Sequence, residues 1–325
     1  TQYIARTAVH GATPRRYFEF TYDEFCSTTL PDIYSNVDED GSDLYWISRT
    51  RGGLVRLSVD SVLGDEPTLV SNFDFDADLS SIVVADAYVY VLEGFSGDGL
   101  FRVEKSTGTA SRLLGTASLG TGPFDLQSDG LYLYWRSRAG SNINLRRYRL
   151  SDGTLRTIAS AVTSYRPDPV IPGIGVYFGM HNELRVYTNL TESLSAPLYT
   201  SGVEADITGV TADSLNVYFL EQPTGTGSFT VYRRPNATDV SIPIYASSST
   251  PVWEPLHQLH VDGEYLLFLQ SDELLRLRTD EESVTLTNLR ATDLEVTQAI
   301  QSDGAPVPLI EGKQTVLHLI PSGIL

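Results

Sequence analysis

Residues 41–48 read GSDLYWIS, and residues 130–137 read GLYLYWRS. Each sets a run of large apolar residues directly behind a Gly- or Asp-containing turn, and the cadence continues along the chain. Tyr45-Trp46, Tyr90-Val91, Tyr134-Trp135, Tyr177-Phe178, Tyr218-Phe219 and Leu267-Phe268 form six doublets at intervals of 45, 44, 43, 41 and 49 residues. A turn precedes each of them: Asp40-Gly41, Asp86-Ala87, Asp129-Gly130, Pro172-Gly173, Asp213-Ser214 and Asp262-Gly263. Such pairs are hairpin signals.

The units share an internal grammar. A short strand such as SSIVVA (80–85) or LHQLHV (256–261) leads into the turn. After the doublet come a polar loop and a third strand: GLVRLSV, GLFRVE, LRRYRL, ELRVYT, TVYRR and LLRLRT in turn. A second turn and a fourth strand, for example LRTIAS or IPIYA, close the unit. Strand-rich repeats of about 40–50 residues indicate propeller blades. The expected fold is therefore all-β: a six-bladed β-propeller with four antiparallel strands per blade, over residues 29–290, preceded by an extension at 1–28 and followed by a β extension at 291–325. One blade cannot bury both faces of its sheet, so blades must stack. Because strand side chains alternate, the two members of a doublet should face different neighbours.

The pattern of a turn, then L-Y-W or V-Y-F, then an Arg-bearing strand resembles the six-bladed propellers of the TolB-like and YWTD-like group. The YWTD tetrapeptide itself is replaced here by YWIS and YWRS. That group includes docking scaffolds, peptidase-associated domains and enzymes, so the resemblance implies a fold and leaves function open. Residues 296–301 (VTQAIQ) and 307–316 (VPLIEGKQTV) resemble the opening of an Ig-like sandwich of large bacterial surface and secreted proteins. A sandwich needs about seven strands, so the resemblance implies either a longer parent or completion by another chain through the C-terminal strands.

Composition narrows the classes. The formal net charge is −18, and Lys105 and Lys313 are the only lysines. A surface this acidic repels phosphate backbones and anionic lipid, arguing against nucleic-acid and membrane partners. No apolar run reaches the roughly 20 residues a membrane span needs. Cys26 is the sole cysteine, which excludes an intrachain disulfide and a thiolate metal cluster. Met180 is the sole methionine, so the chain reads as a processed product or part of a longer one, in keeping with an extracytoplasmic protein. Asn189-Leu190-Thr191 and Asn236-Ala237-Thr238 are glycosylation triplets.

Candidate sites follow from residue type and spacing. Asp74, Asp76 and Asp78 alternate in DFDAD and could supply oxygens to calcium, although Leu79 stands where a bending Gly would be expected. DEDGSD (38–43) has a similar look but coincides with a hairpin turn. Asp32, Asp78, Asp206 and Glu254 fall near the starts of first strands and are candidates to ring one mouth of the central channel. His257 and His260 lie three apart on an expected strand and so face opposite sides, unfit for joint chelation. GFSGDG (94–99) departs from G-x-S-x-G and lacks the strand-turn-helix setting of a nucleophile elbow. The third-strand arginines Arg56, Arg102, Arg149, Arg185, Arg233 and Arg276 read as pairing with neighbouring carboxylates. Tyr165, Trp253 and Phe95 are taken as loop aromatics for recognition. Three functions remain: a non-catalytic binding or scaffold propeller for a protein or glycan, a channel-mouth hydrolase or lyase using carboxylates with or without calcium, and an accessory domain of a secreted peptidase.

Overall fold

The computed structural model describes residues 2–6, 15–20, 37–48, 51–61, 66–73, 81–94, 99–169, 173–247, 259–262, 265–270, 273–279, 290–297 and 316–322. The fold is a six-bladed β-propeller, its blades following one another along the chain. Before them, β1 (Gln2–Arg6) and β2 (Arg15–Phe20) form an antiparallel pair of their own.

Blade one is β3 (Asp38–Glu39), β4 (Asp43–Ser48), β5 (Gly53–Ser58) and β6 (Thr68–Ser71). Blade two is β7 (Ser81–Ala85), β8 (Tyr88–Leu92), β9 (Gly99–Glu104) and β10 (Ala110–Gly115). A single helical turn, α1 (Thr116–Leu119), leads into blade three: β11 (Thr121–Ser128), β12 (Tyr132–Ala139), β13 (Asn142–Arg149) and β14 (Leu155–Ala159). Blade four has five strands, β15 (Val162–Pro167), β16 (Gly175–Met180), β17 (Glu183–Thr188), β18 (Ser193–Leu194) and β19 (Tyr199–Thr200), because its outer strand is split and both pieces pair with β17. Blade five is β20 (Ala205–Ala212), β21 (Asn216–Pro223), β22 (Phe229–Pro235) and β23 (Ile242–Ser247). Blade six shows three strands among the described residues, β24 (His260–Asp262), β25 (Tyr265–Gln270) and β26 (Glu273–Arg278). A closing pair, β27 (Arg290–Thr297) with β28 (Val316–Ser322), forms a separate two-stranded sheet.

The doublets explain the stacking. Tyr45 packs with Val91 of blade two, while Trp46 turns to the other face of its sheet with Leu44, Val55 and Leu57. The same exchange repeats: Tyr90 with Trp135, Tyr134 with Phe178, Tyr177 with Phe219, and Tyr218 with Phe268 share clusters. The first doublet residue thus faces the following blade and the second faces the preceding one. This is why β4 is buried along almost its whole length rather than alternately. Burying each such ring stabilises the stack by about 2 kcal/mol.

The first strands lie side by side in the order β3, β7, β11, β15, β20 and β24, forming the hub. Four successive hub seams are closed in one way, by a side chain of one inner strand bonding the main chain of the next. Asp38 accepts from the Val84 N–H (2.6 Å), and Ser81 Oγ from the Leu126 N–H (2.9 Å). Gln127 Nε2 donates to the Tyr165 carbonyl (3.3 Å), and Thr163 Oγ1 donates to the Ile207 carbonyl. These bonds occupy main-chain groups on an inner strand, which has a sheet partner on one side only.

Candidate functional site

Three places combine exposure or unusual polarity with repeated geometry. The first is the disc face carrying the turns between strands one and two and between strands three and four. Here an aspartate clasp recurs. Asp40 Oδ1 accepts from the N–H groups of Ser42 and Asp43, Asp129 Oδ1 from Leu131 and Tyr132, and Asp213 Oδ1 from Leu215 and Asn216. The other oxygen of each takes the hydroxyl of the doublet tyrosine five residues on: Tyr45 at 3.1 Å, Tyr134 at 2.9 Å and Tyr218 at 2.9 Å. Blade four makes the contact from Asp168 to Tyr177 at 3.3 Å. Burial, followed by the neighbouring carboxylates, pushes the Tyr45 and Tyr177 hydroxyls up to about 12. At Asp40, burial pulls the carboxyl upward, but Lys105, the Ser42 hydroxyl and two main-chain N–H groups outweigh it and hold it well below the ordinary range.

The clasps also receive the next blade. Lys105 Nζ lies 2.8 Å from Asp40, the Gly173 N–H reaches Asp129 Oδ2 at 3.0 Å, and Asn189 Nδ2 donates to the Tyr134 hydroxyl at 2.7 Å. Asn189 in turn accepts from Arg147 Nη1 at 2.6 Å. The fully buried Arg147 guanidinium lies between the Tyr132 and Tyr187 rings, 4.7 and 5.5 Å from their centroids, and reaches Glu192 at 3.1 Å. Around these buried clasps the same turns carry exposed aliphatic side chains. Leu131 (54% exposed), Ile174 and Leu215 (70%) occupy the strand one–two turns of blades three, four and five; Leu190 (87%) and Val240 (63%) occupy the adjacent strand three–four turns.

The second place is the hub. Cross-strand register sets one inner-strand residue opposite the first member of each doublet: Asp38, Val83, Gln127, Arg166, Thr211 and His260. Asp38 and Arg166, from blades one and four of six, stand across this ring from one another and are electrostatically coupled. Burial pushes the Asp38 carboxyl up, with the Val84 N–H and Arg166 drawing it part of the way back. Burial also lowers the Arg166 guanidinium, opposed by Tyr165, Asp38 and Asp125. Close by, Asp125 is paired with Arg136 at 3.0 Å.

The third place is an open pocket of about 530 Å³ at the seam of blades four and five, lined by His181, Asn182, Ser201, Val203, Glu204, Asp206 and Thr224 among others. It lies on the opposite disc face, where the strand two–three turns sit.

The sequence-derived sites are distributed unevenly over these places. Asp206 is exposed at the start of β20 and lines the seam pocket. Tyr165 is not a loop aromatic: it is 3% exposed within β15, and its hydroxyl donates to the main-chain carbonyls of Tyr134 (2.9 Å) and Asp125. Blade four has a longer strand one–two connection, so the residue lies inside the strand. Asn189 is 2% exposed with its amide bonded on both sides, which leaves no room for a glycan in the folded chain, whereas Asn236 sits exposed in a turn. Phe95, Trp253, Asp32, Asp74, Asp76, Asp78 and Glu254 lie outside the described residues. Among the described residues no group of three or more His, Cys, Asp or Glu side chains is placed to hold a metal, and no helix is long and apolar enough to cross a membrane. In cross-strand register the recurrent arginine position stands opposite the first member of the doublet at Arg56, Arg102, Arg233 and Arg276. In blade three, however, the residue there is Arg147, not Arg149, and in blade four it is Val186, with Arg185 opposite Phe178.

No family model and no characterised protein sequence matches the chain. Solved structures do match, and they are propellers. The extracellular domain of a one component system from B. thetaiotaomicron superposes with a TM-score of 0.56 at 16% identity, over 83% of this chain and 35% of that one. The N-terminal domain of Nup159 gives 0.54 at 10% identity, over 81% and 80% of the two chains. YCF48 from Cyanidioschyzon merolae gives 0.51 at 14% identity, over 74% and 80%. At these identities the likeness carries the fold alone.

Proposed function

We propose that this chain is a non-catalytic binding propeller of an exported protein, and that it docks a protein partner on the turn face of blades three to five. The observation that carries the reading is the aliphatic arc of Leu131, Ile174, Leu190, Leu215 and Val240. Single exposed apolar residues are ordinary on any surface. Here they occupy corresponding turns of consecutive blades, with the strand one–two turns of blades three and five held by aspartates bonded to two main-chain N–H groups each, and grouped exposure of that kind marks interaction surfaces. The side chains are branched aliphatics rather than flat rings, which favours a protein over a glycan as the occupant.

The test is comparative capture from extracytoplasmic extract of the source organism, using the wild-type chain, a Leu190→Asp/Leu215→Asp/Val240→Asp variant, and Asp206→Asn on the opposite face as control. The expected result is a defined protein lost with the triple variant and retained with the control, with thermal unfolding unchanged in both. Equal capture by all three chains, or retention of a glycan instead, refutes the reading.

A further inference from the structure

The open pocket of about 530 Å³ at the seam of blades four and five has walls from three segments. They are the His181-Asn182 turn of blade four, the connection at 201–206 that leads into β20, and Thr224 in the matching turn of blade five. Main-chain hydrogen bonds tie these walls together. The Ser201 N–H donates to the Asn182 carbonyl (2.8 Å), the Ile207 N–H to the His181 carbonyl (2.7 Å) and the Thr224 N–H to the Glu204 carbonyl (2.9 Å). Ligand pockets are preformed in this way and span about 300–1,000 Å³.

The side chains of the lining are left open to an occupant. Glu204 and Asp206 are exposed, no Lys or Arg lines the pocket, and neither carboxylate has an ion pair or side-chain hydrogen bond among the described residues. The other carboxylates of the adjoining strands are committed: Glu183 holds Arg185 at 2.7 Å, and the buried Glu221 takes the Tyr199 hydroxyl. Ser201, only 7% exposed, also lines the pocket. Its oxygen accepts from the Val203 N–H (3.2 Å), which leaves its hydroxyl proton without an acceptor among the described residues. The neighbouring Asn182 amide is equally uncommitted there, and Val203, 54% exposed, adds an apolar wall. A complementary occupant carries a cation for the two carboxylates, an acceptor for Ser201 and Asn182, and an alkyl stem for Val203. A bare cation meets only the first need. A peptide-borne arginine meets all three: its planar fork can donate to two carboxylates and stack on the His181 ring, and its main-chain carbonyl is the acceptor. We propose that the seam pocket binds an arginine side chain presented by a peptide, with the guanidinium on Glu204 and Asp206 and the carbonyl toward Ser201 and Asn182. The chain's net charge of −18 favours the approach of such a basic partner.

The experiment is proton NMR of the whole chain at neutral pH, following the ring signal of His181, one of five histidines, assigned by its loss in His181→Gln. The probes are Nα-acetyl-arginine methylamide, its citrulline counterpart, in which a neutral urea replaces the guanidinium, and methylguanidinium. The arginine derivative should shift the His181 signal saturably, with a dissociation constant about tenfold below that of either other probe. Glu204→Gln and Asp206→Asn should each weaken it about fivefold, as the loss of one exposed charge pair does. Both positions are exposed, so thermal unfolding should be unchanged; if one variant loses its fold, the other and the citrulline comparison decide. Equal affinity for the citrulline counterpart or for methylguanidinium overturns the proposal, as does unchanged affinity in the carboxylate variants. So does a His181 signal that no probe moves. Asp206→Asn should still capture the turn-face partner on the opposite face, so the failure of one reading leaves the other standing.

Discussion

Tyr134 offers a direct measure of how strongly adjacent blades are tied together. Its hydroxyl donates to Asp129 within blade three and accepts from Asn189 of blade four, and the side chain is fully buried. Replacing it with Phe removes a hydrogen bond to a carboxylate, worth about 2 kcal/mol, and leaves the Asn189 amide short of an acceptor, costing about 1 kcal/mol more. Asp129 Oδ2 keeps the Gly173 N–H, which limits the loss. The expected destabilisation is about 3 kcal/mol. Tyr177→Phe is the internal standard: the hydroxyl's bond to Asp168 is long at 3.3 Å, and about 1 kcal/mol is expected. Both would be read from urea midpoints with the slope unchanged. Combining Tyr134→Phe with Asn189→Ala in a double-mutant cycle should show a coupling of about 1–2 kcal/mol, because the two groups touch. A Tyr134→Phe cost no larger than that of Tyr177→Phe, or strict additivity in the cycle, would refute the claim that the clasp joins two blades.

Two further outcomes follow from the same chemistry. Tyr45 and Tyr177 hold their protons to about 12 when folded, against an ordinary value of 10.0. Their contribution to stability is therefore complete below pH 10 and lost as pH rises toward 12, so tyrosinate absorbance should lag that of the urea-unfolded chain and stability should decline across that window; coincident titration curves would contradict it. Expressed through a eukaryotic secretory route, the folded chain should carry glycan at Asn236 and not at Asn189, as read by peptide mass spectrometry, because Asn189 is enclosed by Arg147 and Tyr134.

The blade count was legible because the doublets recur in sequence and because each member of a doublet has a separate neighbour to meet. The hub was written just as regularly. In five blades the ring residue stands seven positions before the doublet, as Asp38 does to Tyr45 and Thr211 to Tyr218; in blade four, Arg166 stands eleven before Tyr177. Counting eight back from the turn instead leads to the far end of the first strand, and in blade five it falls one position short of Asp206, which lies exposed there. Blade four's longer connection also made Tyr165 look like a loop residue. Asn189 was beyond reach of a linear reading: its triplet is intact, and only the arrival of Arg147 and Tyr134 from the previous blade shows that the amide is already occupied. The arginine register slipped in blade three because β13 offers Arg146, Arg147 and Arg149 within four residues, and only pairing with β12 selects Arg147.

The four hub seams all end on main-chain atoms: the N–H groups of Val84 and Leu126 and the carbonyls of Tyr165 and Ile207. Every polypeptide segment supplies those groups whatever its side chains. A unit copied or exchanged within the gene would thus be gripped by its predecessor without any matching substitution of its own. Lengthening or reshuffling the ring therefore asks for change on the side-chain partner of each joint alone.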